Sequence, residues 1–130
     1  MPEANPPDLK YHPSHDWARV DGDSATLGIT WYAQDQLGEV VFFDPPEVGT
    51  QVTKDASYAE IESVKAVSDV IAPLSGEIVE VNDQLSSAPE QVNADPYQSG
   101  WLVKIRLSDP GEVDQLLDSA AYEELIAQES

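Results

Sequence analysis

Cysteine is absent from this chain of 130 residues, which removes a disulfide framework, a thiolate metal site and a cysteine nucleophile together. Any sulfur chemistry must come from an attached group. Basic residues are scarce as well: six Lys and Arg stand against 25 Asp and Glu, for a formal net charge of -19. That charge disfavours nucleic acid and anionic membrane, both polyanions, and suits soluble partners with basic docking faces. Long hydrophobic runs are missing too, and no segment approaches a membrane span. The opening MPEANPPDLK has neither a secretion signal nor an Arg-rich transit pattern. The expected location is the cytoplasm, or a mitochondrial matrix if a leader has been removed.

With 41% apolar residues at this length, one globular domain is expected. Residues 1–8, rich in proline and polar groups, read as a flexible arm, and residues 9–130 as a single domain ending in a helix. Strand signals dominate that domain. WARV (Trp17 to Val20) and ATLGI (Ala25 to Ile29) form a hairpin around Asp21 to Ser24, with Gly22 supplying the turn. Thr30 caps a short helix that stops at Gly38. EVVFFD reads as a buried strand closed by Pro45 and Pro46. Gly76 to Asn82 and Gly100 to Leu107 alternate as strands, the second with Trp101, Val103, Ile105 and Leu107 on one face. Asp109, Pro110 and the capping-box acid Glu112 predict a helix from Pro110 to Ala127, striped by Val113, Leu116, Leu117, Ala120, Ala121 and Leu125.

Two segments share a spacing, Pro46-x-x-Gly49-x-x-Val52 and Pro73-x-x-Gly76-x-x-Val79, which suggests two related halves. The segment between them is ESVKAV. Its Lys65 is the sole basic residue between Lys54 and Lys104. Strand residues Ser57 to Ile61 and Asp69 to Ala72 flank it, so the simplest geometry is a hairpin with its tip near Val64 and Lys65. Tight hairpins prefer Asn-Gly or Asp-Gly, and valine resists the positive φ such turns need. The tip therefore was not chosen for turn-making. An ε-amine on a flexible stem at a protruding turn suits acylation by a modifying enzyme, and the alternative is an ordinary surface lysine on a solvated hairpin.

Between Leu9 and Ala127 the chain resembles the H proteins of the glycine cleavage system. The resemblance is carried by YHPSHDW (Tyr11 to Trp17), LGIT, AQDQLGEVVF, PPEVG, IESVKAVSDVIAPLSGEIVEVN, DPYQSGWLVKI and YEELI. Two neighbours in fold fit less well. Biotin carriers usually flank their lysine with methionines, whereas the one methionine here is Met1, and lipoyl domains of 2-oxoacid dehydrogenases usually show Asp-Lys-Ala. The resemblance implies a mainly β fold, the lipoyl/biotinyl-like β-sandwich or barrel-sandwich hybrid, with short helices and a C-terminal helix.

It also implies a function. Lipoate would be joined as an amide to Lys65, and its dithiolane would carry the aminomethyl group of glycine from the glycine decarboxylase (P protein) to the aminomethyltransferase (T protein). Dihydrolipoyl dehydrogenase (L protein) would then reoxidise the dithiol, and the carrier itself, a monomer, would catalyse nothing. The lack of cysteine agrees, since a protein thiol could exchange with the reduced arm. Glu62 and Gly76 match positions that a lipoate-attaching enzyme reads. Ser14, Asp16, Gln36 and Asp69 match the cleft that shelters the loaded arm, with Asp16 paired to its amine. Two residues depart from the family pattern: Asp16 where a longer Glu is usual, and Trp31 where Asp or Glu follows GIT. His15 reads as a hydrogen-bonding structural histidine, and Trp17, Tyr97 and Trp101 as packing. Three other functions are a lipoyl relay for other enzymes, a stand-alone acidic interaction module, and a hydrolase or isomerase using Asp16, Asp69 and His15.

Overall fold

The computed structural model describes residues 5–129, so residues 1–4 of the expected arm lie outside it. Strands β1 (Lys10–His12), β2 (Asp16–Asp21), β3 (Ser24–Ile29), β9 (Val103–Leu107), β8 (Gly76–Val81) and β5 (Gln51–Val52) form, in that order, an open six-stranded sheet. A second open sheet has the order β4 (Val40–Asp44), β6 (Ser57–Ser63), β7 (Val67–Ile71). All pairings are antiparallel. The expected mainly β sandwich with short helices is the fold found.

Local chemistry explains the turns that position the site. The β2–β3 register joins Asp21 to Ser24 across two residues, and Gly22 at φ 65° takes the left-handed position. Immediately after β3, the Thr30 hydroxyl accepts from Ala33 N–H and starts α1 (Trp31–Leu37). Gly38, at φ 89°, ends it, and its N–H reaches Gln34 O.

Two hydrophobic clusters hold the layers together. The larger lies between the sheets and includes Leu27, Ile61, Leu74, Ile78, Leu102 and Ile105, all completely buried. The smaller is aromatic: Tyr11, Trp17, Tyr97 and Tyr122 surround Leu9, and Tyr11 stacks on Tyr122 with centroids 4.6 Å apart. Gly28 lies flat under Trp17, where a Cβ would come 2.7 Å from the indole nitrogen. Residues 5–8 are drawn to this cluster, Pro6 O accepting from the Tyr11 hydroxyl at 2.7 Å and Asn5 Oδ1 from Tyr97 at 3.2 Å.

Four sequence expectations need correction. The helix from Pro110 to Ala127 is two pieces, a 3-10 turn at Pro110–Gln115 and α3 at Ser119–Glu129. Between them Leu116 is extended, and Leu117 exchanges both backbone hydrogen bonds with Tyr11 at 2.8 Å, so the outer edge of β1 draws the chain out of the helix. Asp118 then caps the restart through Ala121 N–H. Glu112 closes no capping box; its carboxylate accepts from the N–H and hydroxyl of Ser75.

The strand EVVFFD is buried only at Val40 and Phe43, because a bulge against β6 leaves Val41 and Phe42 facing water. Strand β9 begins at Val103, not Gly100, with Trp101 joining the aromatic cluster. Finally, the two similar segments do not share roles: Val52 is buried and Val79 exposed, and Gly49 has φ 95° whereas Gly76 is a regular strand residue.

Candidate functional site

Strands β6 and β7 place Lys65 at the end of a hairpin. Ser63 N–H bonds Ala66 O at 2.8 Å, closing a four-residue turn with Val64 and Lys65 at its centre. Neither adopts positive φ. What tightens the turn is a side chain: the buried Ser63 hydroxyl accepts from the backbone N–H of Lys65 at 3.2 Å and of Ala66 at 3.1 Å. Val64 N–H bonds Glu39 O, tying the tip to the end of α1. The Lys65 stem passes over Gly38, where a Cβ would sit 3.3 Å from its Cε. Lys65 is exposed, and among the described residues its Nζ has no hydrogen bond or ion pair.

Beside the tip lie two adjoining hollows. The outer, about 360 Å³, is bounded by Lys65, Ala66, Val67 and Ser68 on the hairpin side and by Ser14, His15, Ala33, Gln36 and Leu37 opposite. Ser14, His15, Ala33, Leu37 and Ser68 also bound the inner hollow, about 60 Å³, which ends on Asp16, Ile29, Ile61, Asp69 and Val70. The four expected cleft residues therefore share one recess, with Ser14 touching both parts, Gln36 the outer, and Asp16 and Asp69 the inner.

Asp16 is the unusual member. It is 3% exposed, and its Oδ2 has no hydrogen-bond partner. Burial holds its carboxyl well above the usual carboxylate range, opposed by a backbone hydrogen bond from Ile71. An unpaired oxygen of this kind costs free energy in an empty pocket and is matched by a cationic donor arriving there. Ile29, Ala33, Leu37, Ile61 and Val70 make up the apolar part of the wall, and Ser14, His15, Ser68 and Asp69 the polar part.

Glu62 points outward, paired in register with Phe42 on β4 and Val67 on β7. Gly76 lies in the other sheet and lines neither hollow. Its glycine has a local reason, because a Cβ would collide with the Arg106 carbonyl oxygen. Trp31 opens α1, its N–H bonded to the Tyr97 hydroxyl, and borders a different hollow with Asn5, Tyr32, Glu123 and Ile126. The Trp31 departure thus leaves the Lys65 recess untouched.

His15 has both ring nitrogens engaged, Nδ1 with the Tyr122 hydroxyl at 2.8 Å and Nε2 with Glu129 at 3.0 Å. Its φ of 73° turns it toward both hollows. The sequence reading passed over His12 and Asp55. His12 bonds Asp55 Oδ1 through Nε2 at 2.6 Å and Ser14 through Nδ1. The His-Pro-Ser spacing was the visible half of this signal; Asp55, 43 residues away, had none. Among the described residues no group of three His, Cys, Asp or Glu is placed to hold a metal, and no helix is long and apolar enough to cross a membrane.

Comparison with known proteins gives one consistent family. A family model, Glycine cleavage H-protein, matches residues 9–129. The glycine cleavage system H protein of Symbiobacterium thermophilum is 53% identical over 91% of this chain and 92% of its own length. That of Thermotoga maritima is 54% identical over 92% of this chain and 97% of its own. Glycine cleavage system H protein 2, mitochondrial, of Arabidopsis thaliana is 48% identical over 94% of this chain and 78% of its own. The crystal structure of a glycine cleavage system H protein from Mycobacterium marinum superposes with a TM-score of 0.87 at 38% identity, covering 95% of this chain and 99% of that one. With sequence and fold in agreement, this chain belongs to the glycine cleavage H-protein family, the lipoyl carriers that shuttle between the P, T and L proteins.

Proposed function

We propose that Lys65 carries lipoate in amide linkage and that the recess beside it shelters the loaded arm as the protein passes from the P to the T protein. The observation that supports this best is the pairing of an unpartnered, exposed Nζ with a recess whose inner part is lined by Asp16, a buried carboxyl with one oxygen unpaired. Bound as an amide, lipoate supplies a dithiolane able to take up and release both the aminomethyl group and electrons. This chain's residues hold and shield.

Acylation removes the charge of Lys65, while Ser63 keeps the turn closed from within. Asp16 pairs with an arriving ammonium, which draws its carboxyl to the ionised form. Ser14, Gln36 and Asp69 offer further acceptors, and Ile29, Ala33, Leu37, Ile61 and Val70 exclude water. The chain contributes no bond-making step; it raises the effective concentration of a tethered group at successive active sites. Glu62, beside the tip, and Gly76, through the backbone shape it permits, are the positions proposed for reading by the attaching enzyme. The P, T and L proteins are its partners, in the cytoplasm or in a mitochondrial matrix, and the acidic surface favours basic docking faces that salt would weaken.

Intact mass and peptide mapping after co-expression with a lipoate-attaching enzyme test the proposal. A single lipoyl adduct, confined to Lys65, is expected. An unmodified Lys65, or an adduct on another lysine, would sink it.

A further inference from the structure

We infer that His12 and Asp55 fix the direction of the Ser14 hydroxyl, making Ser14 a pure hydrogen-bond acceptor toward the recess while His12 is neutral and a donor once His12 is protonated. The inference rests on the reading that an ammonium-bearing arm enters that recess. It adds a pair of positioning residues and a proton dependence to it.

The hydrogen-bond geometry settles where the imidazole proton sits. His12 Nδ1 lies 3.0 Å from the backbone N of Ser14. A backbone N–H only donates, so Nδ1 is a bare acceptor. The ring proton of the neutral form is then on Nε2, donated to Asp55 Oδ1 at 2.6 Å. With Nδ1 bare, its 2.7 Å contact with Ser14 Oγ has the hydroxyl as donor. Ser14 has thereby committed its only proton, and what it offers both hollows is lone pairs. An ammonium brings only donors and finds a matched partner.

Protonation of His12 reverses each step. Nδ1–H must now donate to Ser14 Oγ, the Ser14 backbone N–H loses its acceptor, and the hydroxyl proton turns toward the recess. There it meets an ammonium with like polarity. The groups facing His12 are Asp55; Lys54, whose Nζ is 3.3 Å from the same Asp55 oxygen; and Asp16, its register partner on β2, whose carboxyl burial holds toward the neutral acid. Asp55 is held against His12 by a backbone at φ 75°, a conformation seldom taken by a residue with a side chain.

Two measurements test the inference. Imidazole nitrogen NMR of the unmodified protein near pH 8 reads the neutral His12 tautomer, with the proton expected on Nε2 and Nδ1 bare; the opposite tautomer overturns the proposal. The second follows ammonia release from lipoylated protein, loaded through the P protein with glycine, between about pH 5 and pH 8, where imidazoles ordinarily change charge. Each rate is taken relative to His12→Asn, which keeps a side-chain acceptor for Ser14 but does not titrate. Retention by the wild type is expected to fall about tenfold relative to that variant as His12 protonates in the NMR titration, the worth of one hydrogen bond to a charged group. A wild-type profile that parallels His12→Asn throughout, or a step that ignores the His12 titration, overturns the proposal. Failure to attach lipoate at Lys65 overturns the carrier reading instead, and the tautomer still decides the polarity of Ser14.

Discussion

In β9 of the six-stranded sheet, Val103, Ile105 and Leu107 all point into the core and none exceeds 9% exposure. On the three-stranded sheet, residues of the same kind face water: Phe42 is 51% exposed, Val67 60% and Val64 67%. The first pattern is what burying apolar surface demands. The second leaves that free energy ungained beside Lys65, the lysine proposed to carry the arm. The small sheet buries one face in the common core through Val40, Phe43, Ala59, Ile61 and Val70, while its tip and outer face hold Lys65 outward beside one wall of a recess. Ser63 shows how the tip keeps its shape with little packing, by replacing burial with two backbone hydrogen bonds.

The contrast can be broken most directly at Lys65. Lys65→Arg keeps charge and fold but cannot be acylated as the amine is; lipoylation and glycine-dependent CO2 exchange should vanish, with the melting temperature unchanged. Loss of folding, or retained exchange, would contradict the separation of roles. Second in size is Ile105→Ala, in the center of the large sheet, which should cost about 2–5 kcal/mol in denaturant unfolding and leave any Lys65 modification on the folded fraction intact.

Asp16→Asn sharpens the comparison at the recess. Burial raises the carboxyl pKa in the folded chain, so above about pH 4 the unfolded chain releases a proton that the folded chain keeps. The stabilisation from that retained proton is complete below about pH 4 and is lost as pH climbs toward the raised folded value. The melting temperature of Asp16→Asn should therefore gain on the wild type from pH 4 to pH 8. A wild type that gains on the variant over that range would contradict it. The smallest effect belongs to Phe42→Ala: within about 0.5 kcal/mol of wild type, measured in the same unfolding assay. A cost like that of Ile105→Ala would erase the distinction between the sheets.

Much of the fold was legible because the signals were local. Thr30 and Gly38 mark both ends of α1, Gly22 marks a hairpin, and the awkward Val64-Lys65 pair marks a tip whose sequence serves something other than turning. The misreadings came where a distant partner overrode a local preference. Leu117 leaves the helical pattern because Tyr11, far away in sequence, offers it two backbone hydrogen bonds. Glu112 has capping-box spacing but bonds Ser75. Phe42 reads as core until a bulge turns it outward. At the site, Lys65 stands out by its isolation at an awkward tip, and Ser14, Asp16, Gln36 and Asp69 come from family motifs; His12 and Asp55 come from neither, because their pairing joins β1 to the turn before β6.

The order of residues alone determined the strand alternation, the helix cap, the acidic charge and the isolation of one lysine, since each depends on neighbours within a few positions. Only the tertiary structure decided that Asp16 is buried with an oxygen left unpaired, that His12 meets Asp55 across 43 residues of chain, and that the tip overlooks the recess lined by Asp16 and Ser14. Those properties come from desolvation and from hydrogen bonds between segments distant in the chain, and neither exists until the two sheets have closed on each other.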